Sequence, residues 1–108
     1  MPQMGLGFVE YFNSAHKVAE GPLHGHTFKV EVVIEGEYGD GSMDFHKVRP
    51  EVSNVIKTLD RCVLNDTLEV PVVENVARYV NDKLNSSFKV RSVRVWETSD
   101  RFCELVGD

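Results

Sequence analysis

Residues 24–36 carry the pattern that most restricts how this chain can fold. His24, His26, Phe28, Val30, Val32 and Ile34 alternate with Gly25, Thr27, Lys29, Glu31 and Glu35, and only Val33 breaks the sequence. In a strand, residues two apart point to the same face, so this stretch reads as one long half-buried antiparallel strand. Its even face is apolar. Its odd face is charged and cannot be a dry core. The two histidines continue the apolar face and therefore sit at the rim of the core.

The preceding stretch, residues 5–16, is rich in aromatic and β-branched residues (Phe8, Val9, Tyr11, Phe12) and reads as a second strand. Its even face carries Leu6, Phe8, Phe12 and His16. Gly21 and Pro22 mark a loop between the two. If the strands pair as a hairpin, His16 arrives beside His24. Three histidines then meet within a few positions, two of them held on one face. That is the geometry of a three-imidazole metal site with an open position for water or substrate. A pair of satisfied core-edge histidines is the competing reading.

Downstream, residues 36–43 are turn-rich. Phe45, Val48, Val52, Val55, Ile56 and Leu59 recur at helical spacing, with Asp44 as N-cap. Pro50 predicts either an irregular first turn or a helix that begins nearer residue 49, because proline cannot donate to the carbonyl of residue 46. A second helix is expected with Pro71 at its start, Glu74 in its first turn, and Val73, Val76, Ala77, Val80 and Leu84 on one face. Residues 88–97 and 101–106 read as two more strands joined by a turn at residues 98–100. The order ββααββ predicts a single α+β domain over residues 1–108, with two helices on one face of a four-stranded antiparallel sheet. Its open sheet edges invite pairing in an oligomer.

Composition narrows the functional class. The chain has 108 residues, 12 basic against 17 acidic, for a net charge of −5. No basic cluster supports nucleic-acid binding. No apolar run approaches the roughly 18 residues of a membrane span, and the first residues lack a signal-peptide pattern. A soluble cytoplasmic domain is expected. Cys62 and Cys103 have no CxxC spacing and read as buried reduced thiols. His46 lies apart from the other histidines and reads as a surface residue.

Among the acidic residues, three stand at informative positions. Glu20 lies in the loop between the first and second histidines, where a carboxylate near a metal-bound hydroxyl serves as a general base; a solvated loop glutamate is the plainer reading. Asp60 closes the first helix, where the macrodipole disfavours an acid. Glu97 ends a strand beside Trp96, where a carboxylate can hold the N–H/NH2 edge of a flat heterocycle by two parallel hydrogen bonds; a solvated strand-end glutamate is as good a reading.

Taken together, Phe12-Asn13-Ser14-Ala15-His16, Leu23-His24-Gly25-His26, Met43-Asp44-Phe45, Leu59-Asp60 with Leu64-Asn65, Pro71 with Glu74-Asn75-Val76-Ala77, and Val95-Trp96-Glu97-Thr98 resemble the 6-pyruvoyltetrahydropterin synthase / 6-carboxytetrahydropterin synthase family. The resemblance runs from about residue 8 to the C-terminus. It implies the tunnelling fold, a homo-oligomer (trimer or hexamer) with active sites between subunits, Zn2+ on His16, His24 and His26, Glu97 as anchor of the pterin ring, and Glu74 near the pterin. It also implies a lyase acting on the side chain of 7,8-dihydroneopterin triphosphate or a related dihydropterin, giving 6-hydroxymethyl-7,8-dihydropterin or a 6-carboxy- or 6-pyruvoyl-tetrahydropterin. The departures fall on the catalytic relay. The family's cysteine position, four residues before His24, holds Glu20; Arg61 follows Asp60 where the family has histidine; Val72 follows the proline where it has threonine. With Asp60 alone kept from the relay, two expectations follow. One is a lyase with Glu20 as base, Asp60 assisting, and a folate-type retro-aldol outcome. The other is a non-catalytic zinc-containing pterin- or purine-binding paralogue.

Overall fold

The structure, a computed structural model, describes residues 4–36, 39 and 44–107. Most of the turn-rich loop expected over 36–43 lies outside the described residues. Strand β1 spans Met4–His16 and β2 spans His24–Gly36. Helices α1 (Phe45–Lys57) and α2 (Val73–Leu84) follow, then β3 (Lys89–Thr98) and β4 (Arg101–Val106). The four strands form one antiparallel sheet in the order β1-β2-β3-β4.

The alternation of β2 is realised as read. Phe28, Val30, Val32 and Ile34 are buried, and they meet Phe8 and Phe12 of β1 and Val90, Val93 and Val95 of β3 on one face. Both helices cover that face, α1 over β1 and α2 over β3 and β4. Val48, Val52 and Ile56 of α1 and Val76, Ala77, Val80 and Leu84 of α2 complete the core. Phe12 and Phe28 stack with ring centroids 4.8 Å apart, at the core end nearest the histidines. Truncating a buried phenylalanine typically costs about 3–5 kcal/mol. The helix-free face carries ion pairs within β2 and across to β3, with Glu31 between Lys29 and Arg94, and Glu35 between Lys89 and Arg91.

Asp44 caps α1 as expected, its carboxylate accepting from the Lys47 amide at 3.1 Å. The helix nevertheless starts at Phe45 and contains Pro50. His46 and Pro50 are both exposed, so the carbonyl deprived of its partner stands on the side open to water. Pro71 departs from expectation: α2 begins at Val73 with Val72 as N-cap, and Pro71 is buried ahead of it. The connection between the helices does more than link them. Arg61 N donates to Asn13 O and Ala15 N donates to Cys62 O, so residues 61–63 lie along the outer edge of β1. That end of the sheet edge is covered and not open. Arg61 turns the chain there with φ +55°. Both cysteines are free and half-buried, not fully enclosed. His46 is exposed. Among the described residues, no helix is long and apolar enough to cross a membrane.

Candidate metal centre and adjoining cleft

The hairpin register places His16 directly opposite His24, and Ser14 opposite His26. Two histidines therefore face each other across the strands and the third follows two residues on. The ring centroids lie 4.6 Å apart for His16–His24, 5.2 Å for His16–His26 and 4.6 Å for His24–His26. Phe28 lies beneath the group, its centroid 5.6 Å from that of His16 and 5.5 Å from that of His26.

Hydrogen bonds decide the tautomers. His16 Nδ1 stands 2.7 Å from the Pro71 carbonyl oxygen, and His24 Nδ1 stands 2.9 Å from that of Pro22. A carbonyl only accepts, so both Nδ1 atoms carry the proton and both Nε2 atoms of the neutral rings carry a lone pair. Those two Nε2 atoms face each other at 3.1 Å. Two lone pairs at that distance repel unless a cation lies between them. Ligands about 2 Å from a tetrahedral ion are about 3.3 Å apart, which is close to the spacing seen. His26 Nε2 is buried and makes no hydrogen bond of acceptable geometry, although Glu97 Oε1 is 3.1 Å away. Burial lowers the pKa of His26 below its ordinary value, opposed by the Glu97 carboxylate. The donor set thus fits a metal ion: three imidazole nitrogens and one carboxylate oxygen, all within 4.8 Å of one another.

Glu97 reaches this group from β3 because it continues the core-facing parity of Val93 and Val95. The register against β4 shifts between Trp96 and Thr98, leaving Glu97 as the bulged residue. The sequence reading assigned Glu97 to a ring and missed its place beside the imidazoles. The alternation Val93, Val95, Glu97 was the available signal.

The other expected site residues lie elsewhere in the chain. Glu74, exposed in the first turn of α2, lines a cleft of about 230 Å3 together with Glu97, Arg101, Phe102 and Cys103. This cleft opens beside the metal centre and shares Glu97 with it. Asp60 accepts a hydrogen bond from the Asn13 amide at 2.8 Å, and its other oxygen is 3.7 Å from Arg61 Nε. Its carboxylate stitches the end of α1 to β1 and is not among the four clustered donors. Glu20 is exposed in a tight turn held by Gly21 N donating to Val18 O, with Ala19 at φ +51°. It makes no hydrogen bond or ion pair among the described residues. A separate open cleft of about 710 Å3 includes Asn13, Gly25, His26, Arg61 and Cys62.

A ββααββ sheet with this imidazole cluster at the mouth of its first hairpin defines a tunnelling-fold protein with a metal-competent centre. Residues 6–108 match the family model for 6-pyruvoyl tetrahydropterin synthase, and the chain belongs to that family. It is 34% identical over 110 residues to an Archaeoglobus fulgidus protein provisionally named 6-carboxy-5,6,7,8-tetrahydropterin synthase, covering 95% of this chain and 96% of that one. It is 37% identical over 102 residues to the dihydroneopterin monophosphate aldolase of Pyrococcus furiosus, covering 87% and 90%. Its fold superposes on 6-pyruvoyl tetrahydropterin synthase of Caenorhabditis elegans with a TM-score of 0.85 at 26% identity, covering 100% of this chain and 98% of that one.

Proposed function

We propose that the protein is a zinc-dependent lyase that cleaves the side chain of a phosphorylated 7,8-dihydroneopterin by a retro-aldol reaction, leaving 6-hydroxymethyl-7,8-dihydropterin. The observation that carries this reading is the set of three Nε2 atoms at the hairpin mouth, two of them forced by their hydrogen bonds into the lone-pair tautomer. Neutral imidazoles suit zinc, and zinc there would make side-chain hydroxyls of the substrate more acidic. Glu20, at the family's cysteine position, and the kinship with a named aldolase favour the carbon–carbon cleavage over the 6-carboxy and 6-pyruvoyl outcomes.

In this reading His16, His24 and His26 hold the ion, and Glu97 and Glu74 bind the ring in the cleft they share. Glu20 takes the proton of the hydroxyl. The bond between the ring-bound side-chain carbon and the carbon bearing that hydroxyl then breaks: the departing fragment leaves as a phosphorylated aldehyde, the electron pair of the bond passes into the ring imine, and the carbon that stays on the ring is reprotonated. Asp60 assists, and Arg61 meets the phosphate. Glu20 is exposed in one chain, and a carboxylate works as a base near neutral pH only when it is desolvated. A second copy supplies that burial, so the working form is a trimer or hexamer with its sites between subunits.

The test is a product assay. Purified zinc-loaded protein is incubated with the mono- and triphosphates of 7,8-dihydroneopterin and the products are read by mass spectrometry. The expected product is the hydroxymethyl pterin. A carboxy or pyruvoyl product corrects the reaction, and binding with no product would establish the non-catalytic paralogue.

A further inference from the structure

We infer that Glu97 is an exchangeable ligand: it closes the metal centre as a fourth donor when no substrate is present, and leaves when a ring bearing an N–H/NH2 edge takes its carboxylate. The inference rests on the proposed pterin chemistry for the second half only. The first half rests on geometry. Glu97 Oε1 is 3.1 Å from His26 Nε2, close to the about 3.3 Å between two ligands of one tetrahedral ion, and 3.9 Å from His16 Nε2. Three imidazoles alone make an open site, whereas three imidazoles and a carboxylate complete a tetrahedron.

What sets this ligand apart from His16 and His24 is how it is held. His16 and His24 are each locked by a hydrogen bond from Nδ1 to a backbone carbonyl. Metal-bound carboxylates are usually fixed the same way. Glu97 accepts no hydrogen bond among the described residues, and its side chain is 32% exposed on the side of the cleft it shares with Glu74 and Arg101. It stands at the junction of the two sites and is free to turn toward either. A carboxylate turned into the cleft with both oxygens on a ring edge moves its oxygen off the ion. Ring capture and opening of the metal position are then one event. A sugar-like diol without the ring would meet a closed centre.

The experiment measures zinc affinity by competition with a chromogenic chelator, for wild type, Glu97→Gln and Glu74→Gln. Glu97→Gln is expected to bind zinc at least about tenfold more weakly, the loss typical of disturbing a ligand environment. Glu74→Gln, which lines the same cleft, should keep wild-type affinity. Cobalt-loaded protein is then titrated with 7,8-dihydropterin lacking a side chain at C6, which has no hydroxyls to offer the ion. The visible cobalt bands of wild type should change and those of Glu97→Gln should not. Equal zinc affinity in wild type and Glu97→Gln overturns the ligand role. Unchanged cobalt bands while calorimetry shows the pterin bound overturn the exchange. Failure of the pterin to bind at all sinks the functional reading and the exchange with it, whereas weakened zinc binding by Glu97→Gln still upholds the closed centre.

Discussion

His16 Nδ1 donates to the Pro71 carbonyl oxygen at 2.7 Å, joining the last residue of β1 to the lead-in of α2 across 55 positions of sequence. The bond orients a metal-competent imidazole and also ties the helix layer to the sheet. His16 is 1% exposed.

His16 therefore has two roles and His24 has one. Replacing His16 by alanine leaves the Pro71 carbonyl without its buried partner, which costs about 1–3 kcal/mol, and opens a cavity as well. The His24 Nδ1 bond goes to Pro22, two residues away. Both alanine variants should lose zinc, but only His16→Ala should lower the urea midpoint of the metal-free protein by more than about 1 kcal/mol of stability. Equal stability of the two variants would remove the structural role given to the Pro71 bond.

Among the described residues, Glu20 makes no hydrogen bond or ion pair. Glu20→Ala should reduce turnover to background while bound zinc and thermal stability stay at wild-type values. Turnover at the wild-type rate would show that the proton is taken by another group.

Asp60 separates fold from chemistry through its neutral analogue. An asparagine side-chain oxygen can still accept from the Asn13 amide, whereas alanine cannot. Asp60→Ala should lose about 1 kcal/mol of stability, the usual net worth of such a bond. Asp60→Asn should keep its stability and lose activity. Full activity in Asp60→Asn would confine this residue to holding α1 against β1.

Cys103 should titrate late. Burial raises its thiol pKa above the ordinary value, the Glu74 carboxylate raises it further, and Arg78 opposes both. A group raised on folding contributes stability below its unfolded pKa that is lost as pH rises through the folded one. Alkylation of Cys103 by iodoacetamide, followed by peptide mass spectrometry, should show a pH midpoint above that of the urea-denatured chain. Glu74→Gln should move that midpoint down. A midpoint indifferent to Glu74 would place the carboxylate farther from the thiol than the shared cleft implies.

The legible parts of the sequence were those governed by local periodicity. The bounds of β2 and β4 follow from alternation and flanking turns, and the Asp44 cap follows from one side-chain oxygen before a helical run. Pro71 was misplaced because proline suits both the first turn of a helix and the residues before it. Its burial, and the carbonyl it presents to His16, depend on β1 packing beneath it. Asp60 looked unusual at a helix end. Its partner, the Asn13 amide, lies 47 positions away and has no signature in local spacing.

The same division runs through the metal centre. Alternation in β2 put His24 and His26 on one face, and the short connection to β1 brought His16 to them; strand geometry over a few residues is enough for that. Which of the carboxylates Glu20, Asp60, Glu74 and Glu97 meets those imidazoles was decided only by tertiary structure. It depends on the β2–β3 register, which is set by the packing of two helices and a core between strands far apart in sequence.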